Sequence, residues 1–135
     1  MRRFSARLRG SEEVPRVRTN ASGVANFQLS NDSRRLRFTL VVRNIRNVTQ
    51  AHIHLGRRGM NGPIVVFLFG PVSRGITVDR GIVTGTLTSA NLVGPLARQS
   101  LSTLLREMRN GNAYVNVHTE AHPNGEIRGQ IRHPR

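Results

Sequence analysis

Hydrophobic and polar residues alternate along most of this chain, which is the pattern of amphipathic β-strands. In the first run, Phe4, Ala6 and Leu8 share one face, and a serine and two arginines lie between and after them. The run at 64–70 is apolar on both faces, which predicts a strand covered on both sides. The other runs that predict strands are 23–30, 36–45, 50–56, 80–88, 112–119 and 126–132.

Two pairs of these strands are predicted to form β-hairpins. The polar segment 31–35 separates the runs 23–30 and 36–45 and has turn composition. The segment 120–125 contains Pro-Asn-Gly and separates the last two runs, so it predicts a closing hairpin. Strands at this spacing, with turns every 8–12 residues or so, are typical of all-β domains.

One segment has helical periodicity instead. Leu101, Leu104, Leu105 and Met108 recur at i, i+3, i+4 and i+7. Ser100 or Ser102 can cap the start of this helix, and Asn110-Gly111 suits its end. We therefore predict one short helix near residues 100–110, packed on the core, within a single domain that covers residues 1–135. The fold class predicted is all-β: an antiparallel Greek-key β-sandwich, immunoglobulin-like or superoxide-dismutase-like.

The amino-acid composition excludes several kinds of chemical site. The chain has no cysteine, so disulfides, thiolate metal sites and thiol nucleophiles are excluded. No apolar run approaches the ~20 residues of a membrane-spanning helix, and segment 1–10 does not predict a signal peptide. The formal net charge is +14, and all 21 basic residues are arginine. This arginine excess predicts a solvated basic surface, contact with an anionic polymer or surface, or non-specific nucleic-acid binding. The base composition of the genome is a further explanation for the use of arginine in place of lysine.

The histidines are the strongest chemical signal. In the strand at 50–56, His52 and His54 share the face opposite Ala51, Ile53 and Leu55, with Cα atoms roughly 6.6 Å apart. On the late strand, His118 shares a face with Tyr114 and Asn116, and His122 follows in the turn.

Two interpretations of these histidines stay open. If the two strands approach, His52, His54, His118 and His122 predict a site for copper or zinc, because imidazole without sulfur ligands suits those metals. Asn116, Glu120 and Glu126 are candidates to orient the rings. Otherwise the rings hydrogen-bond buried backbone or carboxylate groups.

Other polar groups predict no catalytic site. Glu12 and Glu13 lie in a loop or edge strand before Pro15, without partners that would complete acid–base chemistry. Glu126 and Arg128 share a face and predict a structural ion pair. The glycines at 56–62 lie between two strands, which is not the context of a nucleotide-binding loop.

The segments 8–17, 51–69, 76–88 and 104–131 together resemble, in this order, the CHRD domain, a family named for repeats in chordin that also occurs as bacterial single-domain proteins. The resemblance covers about residues 3–132 and implies an immunoglobulin-like β-domain without established catalytic activity. It also suggests an extracellular or cell- or spore-surface location.

A more distant similarity links segment 51–56 to the copper-binding strand of Cu/Zn superoxide dismutases. This similarity implies His52, His54 and His118 as copper ligands. The chain departs from that family, since it lacks the histidine- and aspartate-rich zinc loop and the cysteine pair. The sequence therefore favours a non-enzymatic CHRD-like β-sandwich module, with a copper or zinc site in its histidine cluster as one of the two open interpretations. The alternatives are a self-assembling, homo-oligomeric or surface-associated structural protein and a dismutase-type oxidoreductase.

Overall fold

A computed structural model describes residues 2–133 as seven β-strands, one α-helix and three short 3-10 turns. The predicted helix is confirmed as α1, Leu101–Arg109, whose four buried residues are those of the predicted stripe. None of the helices within 2–133 has the length and apolar character needed to span a bilayer. The strands are β1 (Arg3–Arg9), β2 (Ser22–Leu29), β3 (Leu36–Leu55), β4 (Ile64–Phe69), β5 (Ile76–Leu87), β6 (Ala113–Thr119) and β7 (Ile127–Gln130).

The strands form one antiparallel sheet that closes on itself. Strands β1, β2, β3, β6 and β7 pair in that order, and β7 returns to β1 through Arg9 opposite Arg128 and Ser5 opposite Arg132. Both predicted hairpins, β2–β3 and β6–β7, are confirmed. The all-β, antiparallel prediction is confirmed, but the sheet forms a barrel. The predicted Greek-key sandwich is not confirmed.

The barrel arises because β3 is a single strand of 20 residues, where the sequence predicted two separate strands. Its first half pairs with β2 and β5, and its second half pairs with β6 and β4. Between the halves, Asn44 and Asn47 have positive φ angles of 52° and 55°, and the pairing register shifts between Ile45 and Val48. Asparagine tolerates this left-handed conformation better than most residues, and such a bulge bends a strand. The strand therefore changes neighbours without ending.

The inward faces supply the core, which is built of Val, Leu, Ile, Phe and Ala side chains from all seven strands and α1. The inward positions Phe4, Ala6 and Leu8 of β1 are each no more than 2% exposed, as the alternation predicts. Strand β4 is less covered than predicted, because Phe67 is 42% exposed. Strand β4 pairs with β3 along one edge, and at its other edge Val93 N–H donates to Val65 O.

Candidate metal centre

Three histidines meet where the second half of β3 pairs with β6. His118 lies opposite Gln50, and His54 lies opposite Tyr114. The histidine rings of the two strands therefore share the face opposite the barrel core and are neighbours there. The ring centroids of His52 and His118 are 4.8 Å apart, and those of His54 and His118 are 5.9 Å apart. One nitrogen from each of the three rings lies within 4.8 Å of the other two. All three side chains are buried.

Each ring is held at one nitrogen by an oxygen acceptor. His54 Nδ1 lies 2.9 Å from Gly62 O, and His118 Nδ1 lies 2.8 Å from Pro123 O. His52 Nε2 lies 2.9 Å from Gln50 Oε1. The Gly62 and Pro123 oxygens are main-chain carbonyls and only accept hydrogen bonds, so His54 Nδ1 and His118 Nδ1 carry the ring protons. The tautomers of His54 and His118 are therefore fixed by these carbonyls, as they are for metal-binding histidines. The Gln50 amide can face His52 with its oxygen or with its NH2 group, so the tautomer of His52 follows the orientation of that amide.

Of the remaining nitrogens, His54 Nε2 and His118 Nε2 carry lone pairs and no proton, and His52 Nδ1 does so when the Gln50 oxygen faces His52 Nε2. His52 Nδ1 and His118 Nε2 are only 3.1 Å apart. His54 Nε2 is a buried polar atom without a hydrogen-bond partner. Two facing lone pairs repel unless a cation lies between them, or unless the Gln50 amide turns its NH2 group to His52 and so exchanges the tautomer.

Burial disfavours a proton as the cation between these rings. Desolvation, reinforced by His118 and His54, lowers the pKa of His52 to about 3. Desolvation also lowers the pKa of His54 to about 4, although the hydrogen bond to the Gly62 carbonyl opposes it. The pKa of His118 is lowered for the same reason. The three rings are consequently neutral near pH 7, which is the protonation state that binds metals.

Aromatic and cationic groups form the wall of the cluster. The ring of Phe67 meets His52 edge-on at a centroid distance of 4.6 Å. The ring of Tyr114 stacks on His54 at 4.9 Å, with only 6° between the planes. The Arg128 guanidinium covers the other side of Tyr114, with Cζ 3.5 Å from the ring centroid. His54, Tyr114 and Arg128 therefore form one stack.

Arg128 also fastens the β3–β4 loop. Its Nη2 donates to the carbonyl oxygens of Arg57 and Met60, and its Nη1 donates to Asn61 Oδ1. The next residue, Gly62, provides the carbonyl that orients His54, and its N–H donates to the Tyr114 hydroxyl. A Cβ at this position would lie 1.6 Å from Leu55 O, so only glycine fits. The loop thus positions His54 through backbone atoms.

A second buried polar group lies beside this wall. Asn116 Nδ2 donates to Glu13 Oε2, and both residues are at most 5% exposed. Desolvation raises the pKa of Glu13 to about 7, although Arg128 and the hydrogen bond from Asn116 oppose it. A Cβ at Gly125 would come within 2.6 Å of the Glu13 carboxylate, so the β6–β7 turn also needs glycine here.

Some predicted placements differ from those observed. His122 is not part of the three-histidine group; it lines a polar cleft with Asp79 and Glu126. Asn116, Glu120 and Glu126 do not supply the acceptors described above, so their prediction as orienting groups was wrong. Glu120 accepts from Gly75 N–H, and Glu126 accepts from Thr19 and Thr119. The predicted Glu126–Arg128 pair is replaced by these separate contacts.

Comparison with known protein families gives a match. A family model of the CHRD domain matches residues 4–131 of the 135-residue chain. The chain belongs to the CHRD domain family. A search of curated proteins gives no match. In this CHRD domain, all three clustered histidines fall inside the matched region, as do Gln50, Gly62, Pro123 and Arg128.

The orienting groups of this CHRD domain differ in how visible they are in the sequence. Gln50 precedes His52 by two positions, so strand alternation places it on the same face and could have identified it. The acceptors from Gly62 and Pro123 are main-chain carbonyls and leave no side-chain signal. Arg128 alternates with residues of the late strand, but the loop that it contacts lies 67–71 residues earlier in the chain.

Proposed function

We propose that this CHRD domain binds one transition-metal ion through His52 Nδ1, His54 Nε2 and His118 Nε2. The observation that carries the proposal is the meeting of three buried histidine rings, in which one nitrogen of each ring lies within 4.8 Å of the other two and the opposite nitrogen has a hydrogen-bond partner. Buried polar atoms without partners are rare in folded proteins, and His54 Nε2 is one. A cation at their common point would satisfy all three.

The spacing is compatible with one ion after a small contraction. Zn–N distances are about 2.0–2.1 Å, so two ligands of a tetrahedral ion lie about 3.4 Å apart. His52 and His118 already have nitrogens 3.1 Å apart, and the largest separation in the group is 4.8 Å. A movement of the His54 ring by about 1 Å would bring its nitrogen within bonding distance of an ion held by His52 and His118, with Gly62 O still as its acceptor.

Copper is the ion we expect to bind most tightly. Three imidazole nitrogens without sulfur suit copper and zinc, and divalent copper exceeds zinc in affinity for a given nitrogen site. Three protein ligands leave room for a further ligand on the ion. The proposal is therefore for a binding function, with copper preferred to zinc.

The direct test is a titration of untagged, metal-stripped protein with Cu(II) and Zn(II), followed by calorimetry and thermal melting. We expect one saturable site and, at about 100 times the dissociation constant, about 2.7 kcal/mol of added stability. Nitrogen hyperfine splitting in the copper electron paramagnetic resonance spectrum should show imidazole ligands. Binding that does not saturate, or a stoichiometry other than one, would contradict the proposal.

Single variants test the ligand set and the outstanding prediction for His122. His54→Ala should lower copper affinity at least a hundred-fold, because it removes one of three ligands. His122→Ala should change affinity less than about three-fold if three ligands are sufficient. A large loss in His122→Ala would instead support the four-histidine site predicted from the sequence. Equal, small effects of both variants would overturn the site itself.

A further inference from the structure

One outer face of the barrel carries a dense array of arginines. The face is formed by β1, β2, the first half of β3 and β5, which pair in that order. Alternate residues of 3–9, 22–28, 37–43 and 80–86 lie directly opposite one another across these strands, and they give four rows of four outward positions. All of these positions are exposed or half-buried. We call them the outer array.

The outer array is strongly basic and has no acidic residue. Six of its positions are arginine and the other ten are Ser, Thr, Asn, Gln, Val or Ile. The ion pairs recorded within residues 2–133, Arg35–Asp32 and Arg58–Glu12, lie outside it. The arginines of the array are Arg3, Arg7, Arg9, Arg37, Arg43 and Arg80.

The arrangement brings like charges together instead of separating them. Arg43 and Arg80 are directly opposite each other on neighbouring strands, and like charges in that position destabilise a sheet. The six side chains are distributed over about 14 Å across the strands and about 20 Å along them, from ordinary strand spacings. A counter-charge that spreads over an area of this size would relieve the repulsion at all of them.

The array also contains an aliphatic row. Val24, Val41 and Ile82 are consecutive neighbours beside Arg7. Val24 is 41% exposed and Ile82 is 54% exposed. A lipid interface accepts both kinds of side chain, because arginines contact headgroups while aliphatic groups enter the boundary with the acyl chains. By contrast, the array has no aromatic side chain on which nucleic-acid bases could stack.

We propose that the outer array is a docking surface for an anionic lipid bilayer. Two observations favour a bilayer over a linear polyanion: the charges extend in two dimensions over four strands, and exposed aliphatic side chains lie among them. The inference is independent of the metal centre, which belongs to the second half of β3.

The test is sedimentation with vesicles of phosphatidylcholine alone or with 30% phosphatidylglycerol, at rising salt. We expect binding to the anionic vesicles only, and loss of that binding at high salt. The variant Arg7→Gln, Arg43→Gln, Arg80→Gln should bind about a hundred-fold more weakly, since each surface arginine contributes roughly five-fold.

A matched control separates the array from net charge. The variant Arg74→Gln, Arg98→Gln, Arg106→Gln removes the same charge from exposed positions outside the array and should lose less than ten-fold. Circular dichroism checks that both variants fold. Equal losses would overturn the proposal, because net charge alone would then explain the binding. The variant His52→Ala, His54→Ala should bind vesicles like the wild type, which keeps this result separate from failure of the metal site.

Two further experiments test the contribution of the aliphatic row and the binding of other anions. Ile82→Ser should weaken vesicle binding several-fold, whereas Ile76→Ser, at an exposed position of β5 outside the array, should not. Soluble polyphosphate and duplex DNA are tested as competitors. If either binds through the array arginines more tightly than the vesicles do, the array is a polyanion site and the bilayer assignment is wrong. Absence of binding to anionic vesicles at low salt also overturns it.

Discussion

The guanidinium of Arg128 lies 3.5 Å above the ring of Tyr114, and the opposite face of that ring stacks on His54. This contact joins β7, the last strand, to a proposed metal ligand on β3. The same guanidinium binds the loop carbonyls of Arg57 and Met60. Arg128 thus holds both the ring that packs on His54 and the loop that supplies the acceptor of His54.

We therefore expect Arg128→Lys to be far from conservative. Lysine keeps the charge but loses the planar stack and the fork of donors, and hydrogen bonds from a charged group are worth about 1.5–3 kcal/mol each. The free energy of unfolding should fall by about 2–4 kcal/mol, and copper affinity should fall with it. Denaturant unfolding and copper titration measure the two effects.

The exposed Arg98→Lys serves as the control for Arg128→Lys, with an expected change within about 0.5 kcal/mol. If Arg128→Lys lowers stability but leaves copper affinity unchanged, the loop does not position His54, and Arg128 has a purely structural role.

Gln50→Leu should weaken metal binding without removing a ligand. When Gln50 Oε1 faces His52 Nε2, as it does at 2.9 Å, it accepts the ring proton and leaves the lone pair of Nδ1 directed at the cluster. Loss of such an orienting partner typically lowers metal affinity 10–100-fold. Calorimetry of Gln50→Leu and of the exposed Gln99→Leu gives the comparison. Gln50→Glu should retain most of the affinity, since a carboxylate also accepts, and a loss equal to that of the leucine variant would contradict this role.

Copper affinity should depend little on pH between 7.5 and 5.5. Protons compete with metal only near and below the pKa of a ligand. Desolvation brings the pKa of His52 to about 3 and that of His54 to about 4, and it also lowers the pKa of His118. A short His-x-His peptide, with ordinary values near 6.5, should lose about a hundred-fold over the same range. Titrations of both at the two pH values test this. A protein that loses as much as the peptide would show that its histidines are not desolvated.

The buried Glu13 should make the protein less stable as pH rises. Its pKa in the folded protein is raised to about 7 from 4.5. The folded state therefore holds a proton that the unfolded chain releases, so this contribution is complete below pH 4.5 and is lost as pH rises to 7. Glu13→Gln mimics the protonated form. The free energy of unfolding of Glu13→Gln, relative to that of the wild type, should increase by about 1–3 kcal/mol between pH 5 and pH 8.

Denaturant unfolding at four pH values from 5 to 8 measures the Glu13 effect. Glu12→Gln is a suitable control, because Glu12 belongs to a surface pair with Arg58 and such pairs contribute little. A stability difference between Glu13→Gln and wild type that stays constant with pH would show that Glu13 does not titrate in this range.

The sequence predicts the strands and helix well because their signals are local. The alternation of Phe4, Ala6 and Leu8 and the stripe from Leu101 to Met108 each depend on a few neighbouring residues. The union of the two predicted strands into β3 was missed. It depends on Asn44 and Asn47, which resemble turn residues in the sequence but act here as a bulge inside a strand.

The histidine cluster was partly predictable for the same reason. Alternation places His52 and His54 on one face, but the approach of His118 follows from the register of β3 with β6, which spans 66 residues of chain. Main-chain acceptors such as Gly62 O have no sequence signature at all. Arg128 was expected to pair with Glu126 because the two residues share a face of the strand. The loop that Arg128 contacts is 67–71 residues away in sequence, so no local pattern indicates it.

The continuous β3 strand has a consequence for how this domain responds to heat and ligands. Arg37 and Arg43 of the outer array and His52 and His54 of the proposed metal centre belong to the same strand, and each half of that strand is flanked by two neighbours. Neither half can detach without exposing core residues of the other. We therefore expect the domain to melt in one cooperative transition, so that an ion bound at one end slows amide hydrogen exchange at the other.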